Sequence, residues 1–112
     1  MIATKHRFHG RASLRFVQAQ GKTARGPFFL VKAVANPRRR DYRLAVVVSR
    51  KVHKSAVARN RLRRRLYATV ADQSPNQPFD IVISVFDARL AEQSPKELDR
   101  LVKKQLAAAG VV

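Results

Sequence analysis

The sequence contains no cysteine and no tryptophan, four glycines, and seven acidic residues among 112. Without cysteine there is no disulfide framework and no thiolate metal site, so nothing points to an oxidising compartment and a cytoplasmic protein is expected. The opening stretch MIATKHRFHGRASLRF is basic but lacks the continuous apolar region of a secretory signal, and no run approaches the length needed to cross a bilayer. No repeat and no low-complexity linker interrupts the chain. With 46% apolar residues, 112 residues are expected to form one domain, 1–112, with a modest core.

What the chain has in excess is positive charge. Its 24 Lys and Arg against seven Asp and Glu give a formal charge of +17, which in so short a chain is useful only against a large anion, nucleic acid first. Residues 1–71 hold 19 basic residues and one acid, Asp41, a net +18, whereas residues 72–112 are net −1. The partner surface is therefore expected in the first two thirds. Its densest part is 52–69, VHKSAVARNRLRRRLYAT, with six Lys and Arg and no acid.

Helix and strand signals alternate along the chain. In SLRFVQAQG, Leu14, Val17 and Gln18 sit at helical spacing, with Ser13 as N-cap and Gly21 as stop. FFLVKAVA (28–35) and YRLAVVVS (42–49) are apolar, valine-rich and separated by NPRRRD, which predicts adjacent antiparallel strands; a further short strand fits 22–26. From Ser55 to Asp72, Ala58, Leu62, Leu66, Thr69 and Val70 form one apolar stripe, and SPNQP beyond it cannot continue a helix. FDIVISVF (79–86) reads as a strand. SPKELDRLVKKQLAAAG then opens with Ser94 as cap, Pro95 at the first helical position and Glu97 completing a capping box, and Gly110 can close it. Leu98, Leu101, Val102, Gln105 and Leu106 give this helix its core face. The order α, β, β, α, β, α predicts an α+β fold, a small sheet of three or four strands packed by helices. The sheet is mixed if the helix at 55–72 crosses between parallel strands.

At about 100° per residue, with Leu62 set toward the sheet, Asn60, Arg64 and Tyr67 fall near the opposite pole, Arg61 and Arg63 to either side, and Arg59 and Arg65 beside the apolar stripe. Arginine thus wraps three sides of one helix. Charges this dense repel one another, and phosphates relieve that repulsion while releasing condensed counterions. The guanidinium fork suits bidentate phosphate contacts and stacks on bases, and Asn60 adds a donor and an acceptor. A merely solvated face would mix signs, and this one does not.

Other chemistry is excluded or weak. Gly21-Lys22-Thr23 ends like a P-loop, but Phe16 stands where the leading glycine belongs. His6 and His9 lack a carboxylate or cysteine to complete a metal set. Asp80, Asp87, Glu92 and Asp99 show no pairing that suggests a general acid and base, and Asp80 is read as ending a strand. No protein-borne catalytic residue is expected.

Arg59-Asn60-Arg61-Leu62-Arg63-Arg64, preceded by Ser49-Arg50-Lys51 at a strand end and by Ala56-Val57, resembles the RNR signature of the bacterial ribonuclease P protein component. The resemblance extends through His6-Arg7-Phe8, Gly21-Lys22, Phe28-Phe29-Leu30-Val31, Asp80-Ile81-Val82-Ile83 and the final helix, over nearly the whole chain. It implies a small basic subunit that pairs with a large catalytic RNA to remove the 5′ leader from precursor tRNA, in the cytoplasm, with no obligate protein partner. The RNA would perform the hydrolysis with Mg²⁺, while the protein would bind that RNA through the RNR helix and the leader in a cleft between sheet and helix. It further implies a left-handed βαβ crossover, shared with a ribosomal small-subunit protein family. The general rule favours the opposite hand.

Carried over by this resemblance, Arg59, Asn60, Arg61, Arg63 and Arg64 match the signature, and Arg50 and Lys51 the basic pair before it; Lys54 and Arg65 belong to the same basic segment as RNA-binding candidates. The chain departs from the family where aromatics four apart on the first helix stack on leader bases: Leu14 and Gln18 stand there, with Phe16 between. A third aromatic position on the following strand is Lys32, which offers phosphate attraction where the family offers a ring. Ala45 replaces a usual Gly, and Tyr67 a usual Arg or Lys. Phe8 and Phe16 remain as possible rings for RNA. A ribosomal or other structural RNA-binding role, and a DNA-binding regulator using 55–72 as recognition helix, are the competing readings; the second would need a helix-turn-helix partner or a dimer surface.

Overall fold

The computed structural model describes residues 4–8, 12–73, 75 and 77–112. Helix α1 (Ala12–Gln20) is followed by β1 (Lys22–Arg25), β2 (Phe29–Ala35), β3 (Arg43–Val48), α2 (Ala56–Asp72), β4 (Phe79–Val85) and α3 (Pro95–Ala108), with 3-10 turns at Thr4–His6 and Ala88–Glu92. The expected α+β architecture is present, with a four-stranded mixed sheet in the order β1-β2-β4-β3.

That order corrects one expectation. Strands β2 and β3 are not neighbours, because β4 lies between them, antiparallel to β2 and parallel to β3. The two valine-rich runs and the turn between them suggested a hairpin, but the central place goes to the strand best able to bury both faces. Asp80, Ile81, Val82 and Ile83 are all buried, whereas β2 alternates between buried and half-buried positions. Segment 36–42 therefore spans the end of β4, and α2 provides the crossover that parallel β3 and β4 require.

One sheet face carries Phe29, Val31, Ala33, Leu44, Val46, Val48, Ile81, Ile83 and Val85, and packs against Leu62, Leu66 and Val70 of α2 and Leu98, Leu101, Val102 and Leu106 of α3. The opposite face carries Leu30, Lys32, Val34, Ala45, Val47, Val82 and Ser84 by the same registers. Here α1 lies against β2 and β4 and contributes Val17, fully buried, while Val47 remains exposed.

The helix ends follow from local chemistry. Ser55 caps α2 by accepting from the Ala58 N–H (3.3 Å), and Ser94 caps α3 by accepting from the Glu97 N–H (3.1 Å), with Pro95 in the first turn. The capping box is only half made: the Glu97 carboxylate takes the Arg100 guanidinium instead of reaching back. Gly110, at φ 82°, closes α3 as expected. Gly21 ends α1, where an added Cβ would lie 2.5 Å from the Val17 carbonyl oxygen. Since α1 starts at Ala12, Ser13 falls inside its first turn rather than at the cap, and its side chain lies outside the described residues. So do Ser74 and Asn76 of the predicted helix stop.

Candidate nucleic-acid interface

The candidate residues divide once α2 is placed. Burial of Leu62, Leu66 and Val70 turns the rest of the helix outward. Arg61 and Arg64 are exposed, as are Arg50, Lys51 and Lys54 in the loop that leads from β3 into α2, and none of these five side chains has an ion-pair partner among the described residues. Arg63 donates to Asn60 Oδ1 (2.6 Å), so these two signature residues are held as a unit on the exposed side.

Two arginines of the same segment are occupied by backbone. Arg59 Nη1 donates to the carbonyls of His53 (2.9 Å) and Lys54 (3.0 Å), clamping the preceding loop onto the first turn of α2. Arg65 donates to the carbonyls of Ala91 (2.9 Å) and Gln93 (2.7 Å), tying α2 to the segment before α3. Helical spacing placed both beside the apolar stripe. It could not reveal that their ends find carbonyls, since those carbonyls belong to other turns of the chain.

On the sheet face opposite the core, Leu14, Gln18 and Lys32 come together: Lys32 Nζ donates to the Gln18 carbonyl (2.8 Å), and Leu14 and Gln18 line a shallow groove along α1. Phe16 lies elsewhere on α1 and is 56% exposed. Phe8 joins a different group. It is half-buried and lines a cleft of about 540 Å³ with Arg7, Leu44, Ala45, Asn60, Arg63, Arg64 and Tyr67.

Behind Phe8 lies a feature that sequence reading missed. Arg43 donates through Nε (2.8 Å) and Nη2 (2.7 Å) to the two oxygens of Asp80, which also accepts from Asn36 Nδ2 (3.0 Å). Arg43 and Asp80 are register partners on parallel β3 and β4, so Asp80 lies inside its strand instead of ending it. Both are buried, and the hydrogen bonds it donates to Asp80 hold the Arg43 guanidinium above its already high pKa, against the opposing pull of burial. The guanidinium also lies 4.7 Å from the centroid of the Phe8 ring. The only signal in sequence was an acid within an otherwise apolar strand.

The remaining polar groups serve the fold. His6 stacks on Tyr42 (centroids 3.9 Å apart, 13° between planes), its Nδ1 lies 2.8 Å from the Tyr42 carbonyl oxygen, and His9 lies outside the described residues. Gly21-Lys22-Thr23 runs into β1 and opens no helix, so it forms no anion cradle. Asp87 accepts from the Arg89 N–H (2.9 Å) and pairs with its guanidinium (2.7 Å), and Asp99 accepts from Gln73 (2.6 Å). Among the described residues no three His, Asp or Glu gather as a metal set, and no helix is long and apolar enough to cross a membrane.

The chain combines a basic helix with a mixed sheet whose buried acid, Asp80, is paired with Arg43. The family model described as Ribonuclease P matches residues 2–110. The chain belongs to the ribonuclease P protein family. It is 32% identical over 101 residues to the ribonuclease P protein component of Synechocystis sp., covering 86% of this chain and 78% of that protein. It is 35% identical over 68 residues to that of Pseudanabaena sp., covering 61% of this chain and 59% of that protein, less than two thirds of its length. Its fold is similar to a Staphylococcus aureus RNase P protein mutant described as defective in mRNA degradation, with TM-score 0.83 at 20% identity over 96% of this chain and 90% of that one. The family is that of the protein subunit of ribonuclease P, a tRNA-processing endoribonuclease whose other component is the ribonuclease P RNA.

Proposed function

We propose that this chain binds the catalytic RNA of ribonuclease P and the 5′ leader of precursor tRNA, and promotes RNA-catalysed removal of the leader in the cytoplasm. The observation that carries the reading is the uncompensated cationic face: Arg50, Lys51, Lys54, Arg61 and Arg64 are exposed and have no ion-pair partner among the described residues, while the buried acid is committed to Arg43. Such a face lowers its free energy by taking up phosphates.

In this reading Arg50, Lys51, Lys54, Arg61 and Arg64 contact the catalytic RNA, Asn60 and Arg63 act as a pair beside them, and Arg59 and Arg65 set the attitude of α2. The leader runs along Leu14, Gln18 and Lys32. With no ring at these three positions, charge and apolar contact replace stacking there. Mg²⁺ belongs to the RNA: the chain's carboxylates are paired with arginines or scattered, and a face of net positive charge repels a divalent cation.

The test is cleavage of a 5′-labelled precursor tRNA at low Mg²⁺ by a bacterial ribonuclease P RNA, with and without this protein. Restored cleavage at the mature 5′ end, and none from the protein alone, is the expected result. RNA binding without stimulation would favour a general structural RNA-binding role.

A further inference from the structure

The two edges of the sheet differ. Strand β3 forms one, with α2 packed against it, and β1 forms the other. The Gly26 N–H donates to the Phe29 carbonyl (3.0 Å), so by the register Ala24↔Val31 it is Lys22, Ala24 and Gly26 that bond to β2, and the N–H and C=O of Thr23 and Arg25 point away from the sheet. Among the described residues nothing bonds to these outward groups. Beside them, between the β1–β2 turn and α3, lies a cavity of about 400 Å³. Ala24, Gly26, Pro27, Leu101 and Ala108 give it apolar walls, and its charged residues, Arg25, Arg100 and Lys104, are all basic. We propose that β1 takes up an extended acidic segment of a partner protein as a fifth strand, with one apolar side chain of that segment in the cavity.

The chemistry of the edge selects this occupant. Two outward N–H groups and two outward carbonyls at strand spacing are satisfied together by another extended backbone, which supplies the matching donors and acceptors. Side chains alternate along a strand, which sets the pattern of the incoming segment. The position opposite Ala24 points to the α3 side, where Ala24 joins the core and the cavity opens, and calls for an apolar side chain. Its neighbours, opposite Thr23 and Arg25, point to the other face. There the Arg25 guanidinium lies 4.5 Å from the centroid of the Phe86 ring and calls for an acid. The segment is therefore acidic, apolar, acidic. Lys22 and Lys104, exposed and without ion-pair partners among the described residues, favour further acids at its ends. A second copy of this chain fits poorly, because it would bring the basic residues of one β1 against those of the other.

The edge is also held in place before anything binds. Gln105 of α3 is 5% exposed, and its Nε2 donates to the carbonyls of Ala24 (3.1 Å) and Phe29 (2.9 Å), pinning the β1–β2 hairpin to the helix. Because β1 and the α2-bearing strand β3 are opposite edges, a partner on β1 leaves the basic face of α2 open.

The probe is an acetylated, amidated hexapeptide of alternating glutamate and valine, labelled with fluorescein and titrated with the full chain at physiological salt. Binding is expected, and with the unlabelled peptide the Thr23 and Arg25 amides should exchange with solvent more slowly by NMR. Lys104→Ala should weaken binding by about 2- to 5-fold, the worth of an exposed ion pair. Thr23→Pro removes an outward N–H without removing a ladder bond, a substitution that edge strands accept. It should weaken binding by about 2- to 12-fold, the worth of one hydrogen bond. A peptide methylated on alternate backbone nitrogens should bind as weakly to the unaltered protein, which tests the same bonds without altering the fold.

Absence of peptide binding overturns the proposal. So does binding that backbone methylation and Lys104→Ala leave unchanged, or that slows exchange in α2 and not at Thr23 and Arg25, since charge attraction to the basic helix would then account for it. A dimer by sedimentation that Thr23→Pro dissociates would assign the edge to a second copy of the chain and would equally overturn it. Each of these outcomes leaves RNA binding by α2 standing.

Discussion

Replacing Asp80 by alanine removes the acceptor for three donors at once: Arg43 Nε, Arg43 Nη2 and Asn36 Nδ2. The Arg43 side chain is 9% exposed and that of Asp80 5%, so the guanidinium cannot exchange its lost partner for bulk water without leaving the sheet. Breaking a buried pair in this way costs about 3 to 5 kcal/mol. That is a large fraction of the roughly 5 to 15 kcal/mol that holds a domain folded, and in a chain of this size it lowers Tm by roughly 12 to 20 °C. Urea unfolding followed by circular dichroism measures it, with the m-value as a check that both chains unfold from the same compact state.

The double variant Arg43→Met with Asp80→Leu separates charge from packing. Burying an apolar pair of similar volume is often neutral or stabilising, so its stability should return to within about 1 kcal/mol of the unaltered protein. It also removes the guanidinium from behind Phe8. Loss of less than about 1 kcal/mol in Asp80→Ala, with unchanged m, would mean that water reaches the pair in solution and would refute the reasoning.

The two kinds of arginine in α2 should behave differently. Arg61→Ala should leave thermal stability unchanged and flatten the log–log salt dependence of RNA binding by roughly 0.7 to 0.9 per lost phosphate contact. Arg59→Ala should instead lower stability, by about 0.5 to 1.5 kcal/mol, through the lost hydrogen bonds to the His53 and Lys54 carbonyls and a loosened loop; equal melting temperatures for the two variants would contradict this division. Gly26→Ala should destabilise by about 2 to 3 kcal/mol in urea. The added Cβ would lie 2.0 Å from Gln105 Oε1, forcing out a buried amide that donates to the Ala24 (3.1 Å) and Phe29 (2.9 Å) carbonyls. Hydrogen bonds from Arg89 push the Asp87 carboxyl down from 3.8 to about 2. Because the folded pKa is depressed, this contribution is complete above the ordinary carboxylate range and is lost as pH falls from about 4 to about 2. Carboxyl carbon NMR should show the low midpoint, and Arg89→Ala should raise it toward the ordinary one without reaching it, because the backbone N–H of residue 89 still donates to Asp87.

Much of the local structure was legible in residue order. Ser55 and Ser94 stand where caps belong and make cap hydrogen bonds, and Leu98, Leu101, Val102, Gln105 and Leu106 are all buried as their spacing requires. The stripe of α2 was read from period alone, because Leu62, Leu66 and Val70 repeat on one face. Strand pairing was not legible. Two apolar runs joined by a turn look alike whether they pair with each other or with a third strand that arrives 30 residues later. The role of Arg65 was hidden for a similar reason, since its carbonyls lie 26 and 28 residues away at Ala91 and Gln93; that of Arg59 depends on carbonyls only five and six residues back, but on a loop path that spacing does not set.

By itself the sequence determined the charge, the helices with their caps and core faces, and the RNR signature, because each depends on residues within a turn or two of one another. Only the tertiary structure decided that β4 separates β2 from β3, that Asp80 meets Arg43, and that Phe8 and Tyr67 line one cleft, since these bring together residues 37 to 59 positions apart. Such contacts follow from which surfaces the assembled sheet must bury. No local period encodes that choice.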